Sequence, residues 1–295
     1  MLDAQTHSAW ITSDGVLGGS GDSSARFPYW SSTKTVIAIC TLKLCERDQL
    51  SLEATPESEP YTLRQLLGHT SGLRDYGQLA SYHDAVAADE EPWTRQQLMH
   101  AVRREGLLFE PGHGWSYSNI GYLLVRETLE RVSGLSLAQL VDELIGDPLG
   151  LESLELATTC QQLASVYWKA ARNYHPGWVY HGCLTGTAAD AARLLHALFH
   201  QQILGAAALK QLLVRYPLGG AIPGRPWTEC GYALGLMSGT MGRSGRAIGH
   251  SGGGPFCVNA VYHFPDRQVP MTVACFTDGT DEGQAELCAC SLAGP

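Results

Sequence analysis

A serine and a lysine stand three residues apart in Ser31-Ser32-Thr33-Lys34, and an apolar run, residues 36–42, follows them. If that run is helical, positions i and i+3 share a face one turn apart, so the Ser31 hydroxyl and the Lys34 amine become neighbours. The N-terminal end of a helix carries unpaired N–H groups and partial positive charge, which favours an alkoxide or oxyanion developing there. Burial under the apolar run favours a neutral amine able to accept a proton. Such a pair suits nucleophilic attack by serine with lysine as its base. Lysine is scarce in this chain, at Lys34, Lys43, Lys169 and Lys210, and only Lys34 follows a serine at this spacing.

A serine nucleophile also needs a proton-transfer partner and oxyanion donors. Tyr117-Ser118-Asn119 sets a phenol and an amide at a turn before another helical stretch. An ammonium lowers the pKa of a neighbouring phenol, so a Tyr117 tyrosinate beside Lys34 is expected to take the serine proton. Asn119 would then donate to a substrate carbonyl. His250-Ser251-Gly252-Gly253 reads as an inward-facing edge strand whose glycines let a substrate backbone approach closely;. The N–H groups of Ser31 and Gly253 would form the oxyanion hole. Taken singly, Tyr-x-Asn is an ordinary structural pair and the glycine run an ordinary loop.

The elements that must position these residues can be read in chain order. Residues 8–12 and 16–19 flank Asp14-Gly15 as a hairpin;. The nucleophile helix runs to about Arg47. Thr62 caps a short helix, Thr94 opens another, and the helix begun near Asn119 stops at Gly134. Ser136 caps the next. Thr187 with Asp190 opens a helix through Phe199, and residues 206–213 form one more. After Pro217 the texture turns to glycine-rich strands over 232–236, 246–249, 256–262 and 271–276, with a turn at Pro265-Asp266 and a closing helix from Asp281;. Residues 150–182, rich in Tyr, Trp and His, fit a pocket lining or plain core packing. The pattern predicts an α+β fold: one antiparallel sheet built from both termini, flanked by helices, with a mostly helical insert. Residues 1–30 with 215–295 make the sheet domain and 31–214 the helical domain, with the active site between them.

The formal net charge of −9 argues against nucleic acid and anionic membrane as partners;. No stretch reaches membrane-spanning length, and the start Met-Leu-Asp-Ala-Gln-Thr-His has neither a basic region nor an apolar segment;. Nine cysteines without metal-ligand spacing are expected to be reduced and mostly buried in a cytoplasmic protein;.

With its three motifs in this order, the chain resembles the serine hydrolases related to class C β-lactamases, D-alanyl-D-alanine peptidases and esterases. The resemblance covers roughly residues 27–278. Further stretches carry it: Leu66-Leu67-Gly68-His69-Thr70-Ser71-Gly72-Leu73, then Pro111-Gly112 leading into Tyr117-Ser118-Asn119, then residues 182–190, and Gly249-His250-Ser251-Gly252-Gly253. It implies that Ser31 is acylated and that Lys34 and Tyr117 share proton transfer in both half-reactions. It also implies that Asn119, His250, Ser251, Gly252 and Gly253 bind substrate. No metal or organic cofactor is implied.

Two departures shape the expected substrate. His250 stands where β-lactamases carry lysine, so the cation that holds a β-lactam carboxylate is lost or becomes pH-dependent between pH 6 and 8. The stretch before the first strand is too short for the helix that usually covers one sheet face, which leaves that face to the C-terminal helix alone or to another subunit of a homo-oligomer. The expected activity is a serine hydrolase acting on a small-molecule or peptide substrate, a small ester or D-amino-acid peptide rather than a β-lactam. An acyltransferase working through the same acyl-enzyme and a non-catalytic ligand binder are the competing readings.

Overall fold

The computed structural model describes residues 5–56, 59–104 and 106–294. Residues 1–4, most of the opening stretch read above, lie outside it, as do 57 and 58 in the connector before Thr62. Its strands are β1 (Thr6–Thr12), β2 (Leu17–Ser20), β3 (Arg26–Pro28), β4 (Glu155–Ala157), β5 (Cys183–Thr187), β6 (Tyr216–Gly219), β7 (Trp227–Tyr232), β8 (Met237–Met241), β9 (Arg246–Gly253), β10 (Cys257–Phe264) and β11 (Met271–Asp278). Eight make one antiparallel sheet in the order β2-β1-β11-β10-β9-β8-β7-β6. The sheet therefore joins both ends of the chain, and the α+β class follows. A small sheet, β3-β5-β4, was not foreseen. Its strands are three to five residues long, too short for a period-two pattern to show;.

The helix Thr33–Glu46 has no polar side until its last turn. Val36, Ile37, Ile39, Leu42 and Leu44 are all buried, as expected of a helix that is apolar all round;. The central strands are covered on both faces. Val258, Ala260, Tyr262 and Phe264 of β10 meet Ala285, Ala289 and Ala293 of the C-terminal helix Glu282–Ala293, whose small side chains recur every four residues;. The intervening Val261, with Ala274 and Phe276 of β11, joins the core on the other face, where the helix Ala188–Phe199 packs. Thr62, Thr94 and Ser136 cap their helices as read, each in a reciprocal pair with a glutamine;.

One strand assignment needs correction. Residues 233–236 are the turn between β7 and β8, not a strand, and β6, β7 and β8 went unread. Gly235 sits at φ 73°. A Cβ there would lie 2.8 Å from the Lys34 carbonyl, so the turn packs directly on the helix Thr33–Glu46. β6 is exposed throughout, and bulges break the β6–β7 and β7–β8 registers, which erases the alternation that marks a strand in sequence;.

Candidate active site

Ser31 occupies the 3-10 turn Trp30–Ser32, immediately before the buried helix. Trp30 adopts φ 45°, a left-handed conformation that costs a non-glycine residue about 1–3 kcal/mol;. The fold holds it there: its indole N–H donates to Cys257 Sγ at 3.2 Å, and its ring lies against Gly254, where a Cβ would come within 2.4 Å. This turn leaves Ser31 at the mouth of a cleft while Lys34, in the first helical turn, is 0% exposed. Lys34 Nζ lies 3.1 Å from Ser31 Oγ, 2.7 Å from Asn119 Oδ1 and 3.2 Å from His181 Nε2. The Tyr117 hydroxyl donates to Ser31 Oγ at 2.9 Å. Four residues singled out from the sequence thus converge.

Burial drives the Lys34 pKa down to about 7, against the opposing pull of Asp75 and Glu282;. Asp75 sits behind Asn119, accepting its backbone N–H at 2.7 Å and its side-chain NH₂ at 2.9 Å, so the amide oxygen is turned toward Lys34. Asn119 therefore holds the lysine through its amide oxygen, while one N–H of its NH₂ goes to Asp75 and the second is left to the cleft that the residue lines;. Tyr117 also departs from expectation. Burial raises its pKa well above that of a free phenol, and Tyr232 beside it adds to the shift. Tyr117 is thus held as a neutral phenol beside a lysine of depressed pKa. His69, at φ 59°, accepts the Ser118 N–H at Nδ1 (3.1 Å) and lays its ring 4.3 Å from that of Tyr117, which fixes the tyrosine's position.

β9 lies inside the sheet, not at its edge: β8 pairs with it over residues 246–249 and then ends. Beyond Gly249 it pairs only with β10, so the four motif residues form a local edge. The Gly254 N–H donates to the Cys257 carbonyl at 3.1 Å, which makes Gly253–Val258 the adjacent non-hydrogen-bonded pair;. The Gly253 N–H consequently points away from β10, to the side that β8 has vacated. Gly252 packs against the turn Trp30–Ser32: a Cβ there would lie 2.6 Å from Tyr29 O and 3.0 Å from Ser31 N. We expect Gly252→Ala to push β9 off this turn, at about 1–3 kcal/mol in stability. Fluorophosphonate labelling of Ser31 should slow by more than tenfold. Labelling at the wild-type rate would show that the two segments need not touch.

His250 corrects a second expectation. It is buried, and burial with the Lys34 charge lowers its pKa to about 3, so it is neutral throughout pH 6–8 and cannot act as a switch there;. Nδ1 must donate to the Ser251 carbonyl, which leaves Nε2 to accept from the Tyr232 hydroxyl at 2.9 Å;. The Ser251 hydroxyl is likewise engaged, at 2.5 Å from Glu286 Oε1 and 2.7 Å from the Tyr262 hydroxyl.

The cleft has two arms that meet at Ser31, Asn119, Gly253 and Glu282. One is aromatic, lined by Tyr76, Tyr82, Tyr174 and Trp178. The other holds Trp115, Tyr232, Met237, His250 and Arg225. Both readings of residues 150–182 apply: Tyr174, Trp178 and His181 line the cleft, whereas Trp168 packs on Phe27. Asp75, Arg225, Glu282 and Glu286 were missed by sequence reasoning. None lies at a telling spacing from Ser31 or Tyr117, whereas His69 and His181 fell within stretches already set apart.

An antiparallel sheet flanked by helices, with a serine–lysine pair opening a buried helix and a tyrosine on the serine, is the arrangement of the Beta-lactamase family; the model of that family matches residues 9–287, and the chain belongs to it. Esterase EstB of Burkholderia gladioli is 31% identical over 168 residues, 50% of this chain and 41% of that protein. A D-aminopeptidase of Cereibacter sphaeroides is 37% identical over 98 residues, 33% of this chain and 19% of that one. The D-amino acid amidase of Ochrobactrum anthropi SV3 shares the fold, with a TM-score of 0.78 at 22% identity over 98% of this chain and 93% of its own. The chain spans about half or less of the length of the curated relatives it matches.

Proposed function

We propose that this protein is a serine hydrolase that forms an acyl-enzyme on Ser31 from a small ester or a D-amino-acid amide or peptide. The observation that carries the reading is the contact of one cleft-lining, partly buried hydroxyl with both a buried lysine of depressed pKa and a neutral phenol. Neutral Lys34 takes the Ser31 proton as Oγ attacks the carbonyl carbon. The oxyanion sits between the N–H groups of Ser31 and Gly253. The Tyr117 phenol, in contact with the same oxygen, delivers a proton to the leaving group and regains one from Lys34. Water then enters by the reverse path and releases the acid. The names of the esterase and the D-aminopeptidase support the substrate class. An amine or alcohol in place of water would make the same acyl-enzyme a transferase.

The division proposed from the sequence sets this cleft on a seam, with Ser31, Lys34, Tyr117 and Asn119 from residues 31–214 and the β9 residues from 215–295. Among the described residues no helix is long and apolar enough to cross a membrane. A reducing, cytoplasmic setting is proposed on nine free cysteines, five of them buried. Homo-oligomerisation also remains a proposal.

The test is covalent labelling by a fluorophosphonate, read by intact mass and mapped to Ser31, across a pH series. The active form of Lys34 is the neutral one, and its fraction rises as pH passes upward through about 7. Labelling should therefore rise about tenfold from pH 6 to pH 8 and level off above, as one group titrating near 7 requires. A rate still climbing tenfold per unit at pH 9 would mean an ordinary lysine. Labelling elsewhere than Ser31 would overturn the assignment.

A further inference from the structure

The charges around this cleft do not balance. Among the described residues that line or back it, Asp75, Glu282 and Glu286 supply three carboxylates, the first two with pKa values pushed up by burial, against Arg225 and the titrating Lys34. His69, His181 and His250 are all buried with pKa values well below the ordinary imidazole range, so they add no positive charge at neutral pH. Arg225 is already spent. Fully buried Glu286 takes it in a two-pronged pair, with Nε 2.7 Å from Oε2 and the second contact to Oε1, and Glu282 Oε2 lies 2.8 Å from its Nη1. Trp227, Ser251 and Tyr262 complete the lock on Glu286. A guanidinium held this way has little left to offer a substrate carboxylate.

Glu282 is placed differently from Glu286. It lines both arms of the cleft at their junction with Ser31. Its side chain is 32% exposed, whereas that of Glu286 is 0% exposed. Arg225 engages one carboxylate oxygen; the other, Oε1, lies 3.1 Å from where a methyl on Gly253 would be. That is the residue whose N–H is aimed into the cleft. Resting on the hydrolase reading above, we propose that Glu282 is the specificity residue of this site and selects substrates with an ammonium group on the carbon next to the scissile carbonyl, as in an unblocked aminoacyl amide or ester. With the carbonyl oxygen on the Gly253 N–H, an α-ammonium falls beside Glu282 Oε1. The Arg225 pair holds the carboxylate in position. A carboxylate on that same carbon would meet like charge.

The experiment uses two probes that phosphonylate serine, one with a free α-ammonium and one with that nitrogen blocked and uncharged: a diphenyl 1-aminoethylphosphonate and its N-acetyl derivative. The intact protein is treated with each, and Ser31 modification is followed by mass. The wild-type chain should react at least ten times faster with the free amine, a preference that falls as salt rises. Glu282→Gln should bring the ratio to about one. A wild-type ratio below two would overturn the inference without any variant. A ratio unmoved in Glu282→Gln would show that Glu282 only braces Arg225. If Ser31 reacts with the fluorophosphonate but shows no preference for the amine, this inference alone falls. If no probe modifies Ser31, the hydrolase reading falls with it.

Discussion

Ser31→Ala should lose at least about 10³-fold in turnover of any ester or amide the wild type accepts, the scale seen when a serine nucleophile is deleted. Fluorophosphonate labelling should vanish with it. The neighbouring serine makes the control. Ser32 is buried, with Oγ 2.7 Å from Asn259 Oδ1 and 3.2 Å from the His250 carbonyl, so it ties the nucleophile turn to β9 and β10. Ser32→Ala should therefore lower thermal stability yet keep a Ser31 that can be labelled. Ser31→Ala should barely move the melting temperature, because Lys34 keeps its bond to Asn119. If Ser31→Ala retains more than a tenth of the activity, the nucleophile lies elsewhere.

Lys34 and Tyr117 should behave as one unit. Both contact Ser31 Oγ, and Nζ lies 5.0 Å from the centre of the Tyr117 ring. Lys34→Ala removes the base and Tyr117→Phe removes the proton donor to the leaving group. Each should cost about 10²–10⁴-fold in acylation, the usual span for a positioned proton-transfer group. Groups that hand on the same proton are strongly non-additive. The double variant should thus be little slower than the worse single one. If the two losses multiply, Lys34 and Tyr117 act independently and the relay proposed here is wrong. Lys34→Ala should also flatten the rise in labelling through pH 7, whereas Tyr117→Phe should keep it, because only the lysine titrates there.

Much of this arrangement was legible in the chain before any coordinate was known. Scarce lysine, a serine three residues before it and an apolar run made Ser31 and Lys34 visible, because helical periodicity is a local property and three residues span one turn. Thr62, Thr94, Ser136 and Thr187 marked helix starts for the same reason: a cap is satisfied within four residues;. Buried β10 and β11 could be read as strands, whereas exposed β6 and bulged β7 could not.

What the tertiary structure alone decided is how each ionisable group behaves, because burial and distant charge set a pKa. Nothing near His250 in sequence announces that it is neutral. Burial and the charges of Lys34 and Arg225 make it so, against the opposing pull of the Ser251 carbonyl. Tyr117 was expected to ionise and is instead held neutral by the same dry surroundings that bring Lys34 down to about 7. Asp75 meets Asn119 across a separation of 44 residues and acts on the Lys34 charge besides, and Arg225 meets Glu286 across 61. Glu282 opens the last helix with no local sign of chemistry, and it reaches Ser31 only because that helix packs on β9 and β10 and carries its first turn to the cleft.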